Sequence, residues 1–242
     1  MNLIIDVGNT HVKLALFKGD RLEVKEVVEL EDLVSGIKSL KQKYNSIKKV
    51  ILSSVGKLEA KDIDEINKHF DLQILDANTK WAFTNLYRTP STLGIDRMVL
   101  VNAAIKKFPN KNTLIIDAGT CITYDFVTHN KAYLGGAISP GIRMRYKSLN
   151  NFTASLPLLE TERPEALIGN STNNAIHSGV VNGVLKEIDG LIADYKQKYS
   201  DLTVILTGGD ANFLSKQLKS SIFVNSNFLL EGLNYILQFN TH

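Results

Sequence analysis

The chain has 242 residues, 44% of them hydrophobic and 22% charged, the composition of an ordinary globular protein. Its formal net charge is +3, from 28 basic and 25 acidic residues, too small an excess to mark a nucleic-acid binder. No apolar run reaches the length of about 20 residues needed to cross a bilayer, and the single Cys121 excludes an intrachain disulfide. The opening apolar run is short and ends in Asp6, unlike a secretory signal. The expectation is a cytoplasmic protein with neither membrane nor nucleic acid as partner.

Asn2 to Val7 is apolar, closes on Asp6, and meets the small-residue turn Gly8-Asn9-Thr10. Strands follow at Leu14–Phe17 and Leu22–Val28, with the hairpin signal Gly19-Asp20 between them. Apolar residues at 30, 33, 34, 37, 40 and 44 predict a helix. A strand at Val50–Leu52, a helix at Ala60–Phe70 and a strand at Leu72–Leu75 come next. Residues 78–92 are rich in turn-formers and aromatics and read as a crossing loop; Leu93–Phe108 resumes helical spacing until Pro109-Asn110 stops it.

Leu114 to Thr120 then echoes Leu3 to Thr10 at an offset of 111 residues, with Asp117 in the place of Asp6. Strands at Ile122–Val127 and Tyr133–Ile138 follow, then helices at Gly141–Leu149 and about Asn174–Tyr199. A strand at Thr203–Leu206, a helix at Ala211–Leu218, a strand at Ile222–Val224 and a helix at Leu229–Phe239 complete the chain. The same order of elements appears twice, and chance rarely reproduces eight elements. The division expected is therefore two α/β units, residues 1–110 and 111–242, each opening with an acid at the end of its first strand. Two such units packed face to face would set Asp6 and Asp117 on opposite sides of a cleft.

Four stretches carry candidate chemistry. In Asp6-Val7-Gly8-Asn9-Thr10-His11-Val12-Lys13, the glycine admits close backbone approach, and the polar residues and Lys13 supply donors. An acid beside such a turn suits a hydrated metal ion on a bound anion, whereas the plainer reading is a hairpin with a solvated Asp. Asp117-Ala118-Gly119-Thr120 follows the same logic. Thr207-Gly208-Gly209-Asp210 is a strand running into two glycines before a helix, either a plain turn or a place for a ring or phosphate to approach the backbone. Gly94-Ile95-Asp96-Arg97 opens a helix; Asp96 is either a dipole-favoured acid with Arg97 in solvent, or a proton acceptor beside an anion clamp.

These motifs, in this order, resemble type III pantothenate kinase, a family of the actin-like superfamily that also holds acetate and sugar kinases. Further matching pieces are Gly135 to Gly141, Thr153 to Pro157, Gly169 to Thr172, Ser178-Gly179 and Leu230 to Leu233. The resemblance implies duplicated ribonuclease H-like (actin-like ATPase) domains, each a mixed five-stranded sheet with flanking helices and a cleft between. It implies ATP-dependent phosphorylation of the primary hydroxyl of pantothenate to 4'-phosphopantothenate, the first step toward coenzyme A. Carried over by position, Asp6, Val7, Gly8, Asn9, Thr10, His11, Val12 and Lys13 would bind ATP phosphates, with Asp6 placing Mg²⁺ through water. Thr120 would contact ATP, and Gly208 and Gly209 would lie near the adenosine. Asp96 would accept the proton. Tyr87, Gly94, Ile95, Asp96, Arg97 and Thr172 would contact pantothenate. Asp117 would hold a monovalent cation, K⁺ or NH₄⁺, and the protein would be a homodimer. The competing readings are another small-molecule kinase on this scaffold and a nucleotide-binding accessory protein; intact Asp6, Asp96 and Asp117 favour catalysis.

Overall fold

The computed structural model describes residues 1–8, 11–54, 58–76 and 79–240. Its strands and helices run β1 (Asn2–Val7), β2 (Val12–Lys18), β3 (Arg21–Val28), α1 (Leu33–Lys43), β4 (Lys49–Ser54), α2 (Ala60–Asn67), β5 (Asp71–Ile74), β6 (Thr84–Asn85) and α3 (Ile95–Lys107) in the first half. The second half runs β7 (Thr113–Ala118), β8 (Cys121–Val127), β9 (Ala132–Pro140), α4 (Ile142–Asn151), α5 (Thr172–His177), α6 (Gly183–Lys198), β10 (Thr203–Thr207), α7 (Ala211–Ser215), β11 (Phe223–Val224) and α8 (Phe228–Phe239).

Two compact units result: Met1–Thr84 with Arg88–Lys107 and Phe228–His242, and Asn85–Tyr87 with Phe108–Asn227. This grouping and the sequence division at residue 110 differ chiefly at α8. That helix is apolar on most of its circumference, and it buries Leu230, Leu233, Ile236 and Leu237 with Ile4, Phe17 and Val99 of the first unit. A Cβ at Gly232 would come within 2.8 Å of the Val99 carbonyl oxygen and 3.0 Å of the Ala103 Cβ. A glycine there lets α8 lie directly on α3.

The first unit holds a mixed sheet in the order β3-β2-β1-β4-β5. β1 is antiparallel to β2 and parallel to β4. It is apolar on both faces because both are covered: Leu3, Ile5 and Val7 pack with α1 and α2, and Ile4 packs with α3 and α8. Side chains alternate along a strand, so Asp6 shares the Ile4 face.

The second unit repeats the arrangement, with β7 antiparallel to β8 and parallel to β10. Its sheet has six strands, β11-β10-β7-β8-β9-β6, rather than the five expected. The extra strand comes from the segment that reads as a loop: Leu86 N–H donates to the Tyr133 carbonyl at 3.0 Å, tying that segment to β9. Leu114, Ile116 and Ala118 face α4, α5 and α6 in the core, so Asp117 faces the other way. The long helix expected over residues 174–199 is interrupted by one π-helical turn, Ser178–Asn182, between α5 and α6. Among the described residues, no helix is long and apolar enough to cross a membrane.

Candidate active site

In the first unit, Asp6 is only 6% exposed. Its cross-strand partner is Lys13, whose Nζ donates to Asp6 Oδ2 at 3.2 Å. Burial pushes the Asp6 carboxyl above its ordinary range; Lys13 pulls it back, and the Asp96 carboxylate pushes it up again. Asp96 reaches Asp6 because both belong to the same side of the sheet. Ile4, two residues before Asp6, packs against Val99 of α3, and Asp96 lies in the first turn of that helix. The turn after β1 is closed by Gly8 N–H donating to the His11 carbonyl at 3.1 Å, and His11 Nδ1 lies 3.2 Å from Glu29 Oε1. Val7 and Val12 are buried in the core, so any ATP contact they make is through backbone. Asn9 and Thr10 lie outside the described residues.

Arg97 N–H donates to Asp96 Oδ1 at 2.9 Å, which fixes the carboxylate at the helix start. A Cβ on Gly94 would collide with Asp96 Oδ1, so glycine is needed for the carboxylate to fold back over it. Ile95, between them, is half-buried and packs on the core beneath α3. The Arg97 side chain is 5% exposed, which overturns the solvated-arginine reading.

In the second unit, Asp117 is half-buried at the end of β7. Gly208 has φ +95°, and a Cβ on it would strike the Ala118 carbonyl oxygen and Asp117 Oδ1. The β10–α7 turn thus wraps closely on the acid, and Asp210 N–H donates to the Ala118 carbonyl at 3.0 Å. Among the described residues nothing comes within 4 Å of a Cβ placed on Gly209, and Thr120 is exposed. Both suit contact with a large ligand.

Tyr87 stacks on Tyr133, with ring centroids 6.0 Å apart, over Gly135 at φ +102°. A Cβ on Gly135 would come within 2.9 Å of the Tyr87 ring. Thr172 lies elsewhere in the same unit, at the start of α5, where Ser171 Oγ caps the helix by accepting from Asn174 N–H. It lines a groove of about 600 Å³ with Arg145, Leu149, Leu156, Ile176 and Val180.

The sequence and the fold have counterparts elsewhere. Residues 2–194 match the family model described as type III pantothenate kinase. A type III pantothenate kinase of Christiangramia forsetii is 52% identical over 99% of both chains. The chain belongs to the type III pantothenate kinase family. Two solved structures share the fold. One is a Baf family protein from Campylobacter jejuni, with 22% identity, TM-score 0.65 and 98% of each chain covered. The other is a ROK hexokinase from Thermus thermophilus, with 14% identity, TM-score 0.55 and 98% of each chain covered.

Within this type III pantothenate kinase chain, the structure joins Asp6, Lys13 and Asp96 in one unit, and Asp117 and Gly208 in the other. Sequence reading missed Tyr133, the partner of Tyr87; its only signal was its place two residues before Gly135-Gly136. It also missed the network behind the groove. Arg145 donates to Glu187 Oε2 at 2.5 Å and to Ser139 Oγ at 2.9 Å, and Tyr124 Oη donates to Glu187 Oε1 at 2.8 Å. Burial pushes the Glu187 carboxyl up, but Arg145, Tyr124 and Ser139 outweigh that and hold it below the usual range. Nothing in the spacing of residues 124, 145 and 187 announces this pairing.

Among the described residues, no three His, Cys, Asp or Glu side chains converge. A dehydrated multi-carboxylate cage for a divalent ion is therefore not offered. One buried carboxylate at Asp6, already answered by Lys13, fits a Mg²⁺ ion that keeps its water.

Proposed function

We propose that this enzyme transfers the γ-phosphoryl group of ATP to the primary hydroxyl of pantothenate, giving 4'-phosphopantothenate at the entry to coenzyme A synthesis. The observation that carries this reading is the match of residues 2–194 to the type III pantothenate kinase family. In this reading Asp96, close enough to Asp6 to push its carboxyl up, takes the proton, while Asp6 serves the phosphates.

The hydroxyl oxygen bonds to the γ-phosphorus, the bond from that phosphorus to the β–γ bridging oxygen breaks, and ADP leaves. The hydroxyl proton passes to Asp96. Its Oδ1 is engaged by the Arg97 N–H, so Oδ2 is the accepting atom. A carboxylate is a weak base for an alcohol, but it orients the hydroxyl and takes the proton late, as the oxygen–phosphorus bond forms. The segment from Asp6 to Lys13 holds the triphosphate, with the Lys13 ammonium as its charged donor, Thr120 contacts ATP, and Gly208 and Gly209 lie against the adenosine. Tyr87, Gly94, Ile95, Arg97 and Thr172 hold pantothenate, with the Arg97 guanidinium suited to its carboxylate. Mg²⁺, placed by Asp6 through water, and a monovalent cation at Asp117 supply positive charge against the triphosphate.

The enzyme acts in the cytoplasm as a homodimer. Exposed Phe152, Leu167 and Ile168, at the end of α4 and ahead of α5, support a covered surface on that side of the second unit. ADP release with pantothenate, Mg²⁺ and K⁺ tests the function. Pantothenate-dependent turnover is expected; ATP binding without it would overturn the reading.

A further inference from the structure

The two units open on the same three strands, and their pairing registers align them position by position. In the first, Asp6 stands opposite Lys13 on β2 and Ser53 on β4. In the second, Asp117 stands opposite Thr123 on β8 and Thr207 on β10. Directly opposed residues share a face of the sheet, with Cβ atoms about 5 Å apart. Each acid therefore has a hydroxyl residue on its parallel neighbour. On the antiparallel neighbour they differ: the first unit places an ammonium there, and the second a hydroxyl.

That hydroxyl is unusual. Thr123 Oγ1 is shut away from solvent and, among the described residues, has no hydrogen-bond partner. A buried hydroxyl without a partner costs stability, and such groups are few in folded proteins. Its oxygen carries two lone pairs, which can face a cation as well as a donor. Threonine also ends one bond beyond Cβ, whereas Lys13 extends through three further methylenes to its charge. The volume that the lysine stem and ammonium take beside Asp6 is not taken by the side chain at position 123.

We propose that Thr123 Oγ1 is a neutral ligand of the monovalent cation at Asp117, and that this cation takes the place that the Lys13 ammonium holds in the first unit. The proposal rests on the reading of Asp117 as the cation site. One carboxylate with neutral oxygens matches a single positive charge, and no three His, Cys, Asp or Glu side chains converge among the described residues to ask for a divalent ion. The analogy also explains why ammonium and potassium would both serve. Ammonium is the head group of lysine, and carboxylate and hydroxyl oxygens accept its hydrogen bonds or coordinate K⁺ equally well.

The test is a K⁺ titration at constant ionic strength, balanced with choline, on the full chain. It is read by the thermal midpoint without substrates and by steady-state pantothenate phosphorylation. Thr123→Val is expected to raise the half-maximal K⁺ concentration by about tenfold in both readouts, the loss of one polar contact. Thr123→Ser, which keeps the oxygen, is expected to stay near wild type. Thr123→Lys, which tethers an ammonium as the first unit does, is expected to make both readouts independent of K⁺. A Thr123→Val enzyme that titrates like wild type overturns the proposal, as does a Thr123→Lys enzyme that still needs K⁺. Should Thr123→Val fail to fold, the serine and lysine variants decide. A wild-type chain that responds to K⁺ in neither readout removes the cation reading of Asp117 and this proposal with it. A wild-type response abolished in Asp117→Ala but intact in Thr123→Val removes Thr123 alone.

Discussion

Replacing Gly208 by alanine is expected to destabilise the enzyme by about 3 kcal/mol, from two sources of similar size. The residue sits at φ +95°, where an L side chain is strained by roughly 1–3 kcal/mol. The added methyl group would also press on the Ala118 carbonyl oxygen and Asp117 Oδ1. Neither can retreat easily, because β7 is held by β8 on one side and β10 on the other. Overpacking of this kind costs roughly 1–3 kcal/mol. At about 2–4 °C per kcal/mol for a chain of this size, the thermal midpoint should fall by roughly 6–12 °C. Gly209→Ala is the comparison. Among the described residues nothing lies within 4 Å of a Cβ there, so its stability should stay within about 0.5 kcal/mol of wild type. The kinetics should divide the other way. Gly209→Ala should raise KM for ATP by crowding the adenosine, while Gly208→Ala should displace Asp117 and weaken K⁺ activation. Thermal and urea melts of both variants decide the matter. A Gly208→Ala enzyme within about 1 kcal/mol of wild type, or two alanine variants of equal cost, would refute the argument.

Three further outcomes are expected. Asp6→Asn should lower activity yet raise the thermal midpoint at neutral pH. Burial lifts the Asp6 pKa above its ordinary 3.8, so the folded state holds the proton more tightly, and the stability Asp6 contributes is lost as pH rises through the folded value. The gap between wild type and variant should therefore close toward pH 3.8, and a gap independent of pH would argue against it. Asp96→Asn should reduce kcat by roughly 10²–10⁴-fold with ATP affinity unchanged, and a near-normal kcat would remove Asp96 as proton acceptor. Glu187→Gln should cost about 2 kcal/mol at pH 7 through the weakened contacts to Arg145 and Tyr124. The Glu187 pKa lies below its ordinary 4.5, so this stability is present above 4.5 and is lost as pH falls through the folded value; melts of both proteins across that range measure it.

Much of the architecture was legible because it is local. The strands opening each half are short apolar runs closed by an acid, and the helices carry their apolar residues at helical spacing. The echo of residues 3–10 in 114–120 then exposed the duplication. What escaped had weak or distant signals. β6 has two residues, Thr84 and Asn85, and no alternation to detect. The π-helical turn at Ser178–Asn182 keeps helical spacing on both sides and leaves no mark in the pattern. The Arg145–Glu187–Tyr124 network joins a helix, a second helix and a strand whose proximity no spacing encodes.

By itself, the sequence determined where the acids would stand, since each closes an apolar run just ahead of a glycine turn. It also determined that glycines follow each acid and that the pattern occurs twice. Only the tertiary structure decided what faces each acid. Alternation assigns a side chain to one of two faces, but pairing register chooses its neighbour on that face. Register set Lys13 against Asp6 and Thr123 against Asp117, and the packing of α3 on the Ile4 face brought Asp96 toward Asp6. Two acids with nearly the same sequence around them thus occupy sites that differ in charge, because the strands beside them differ.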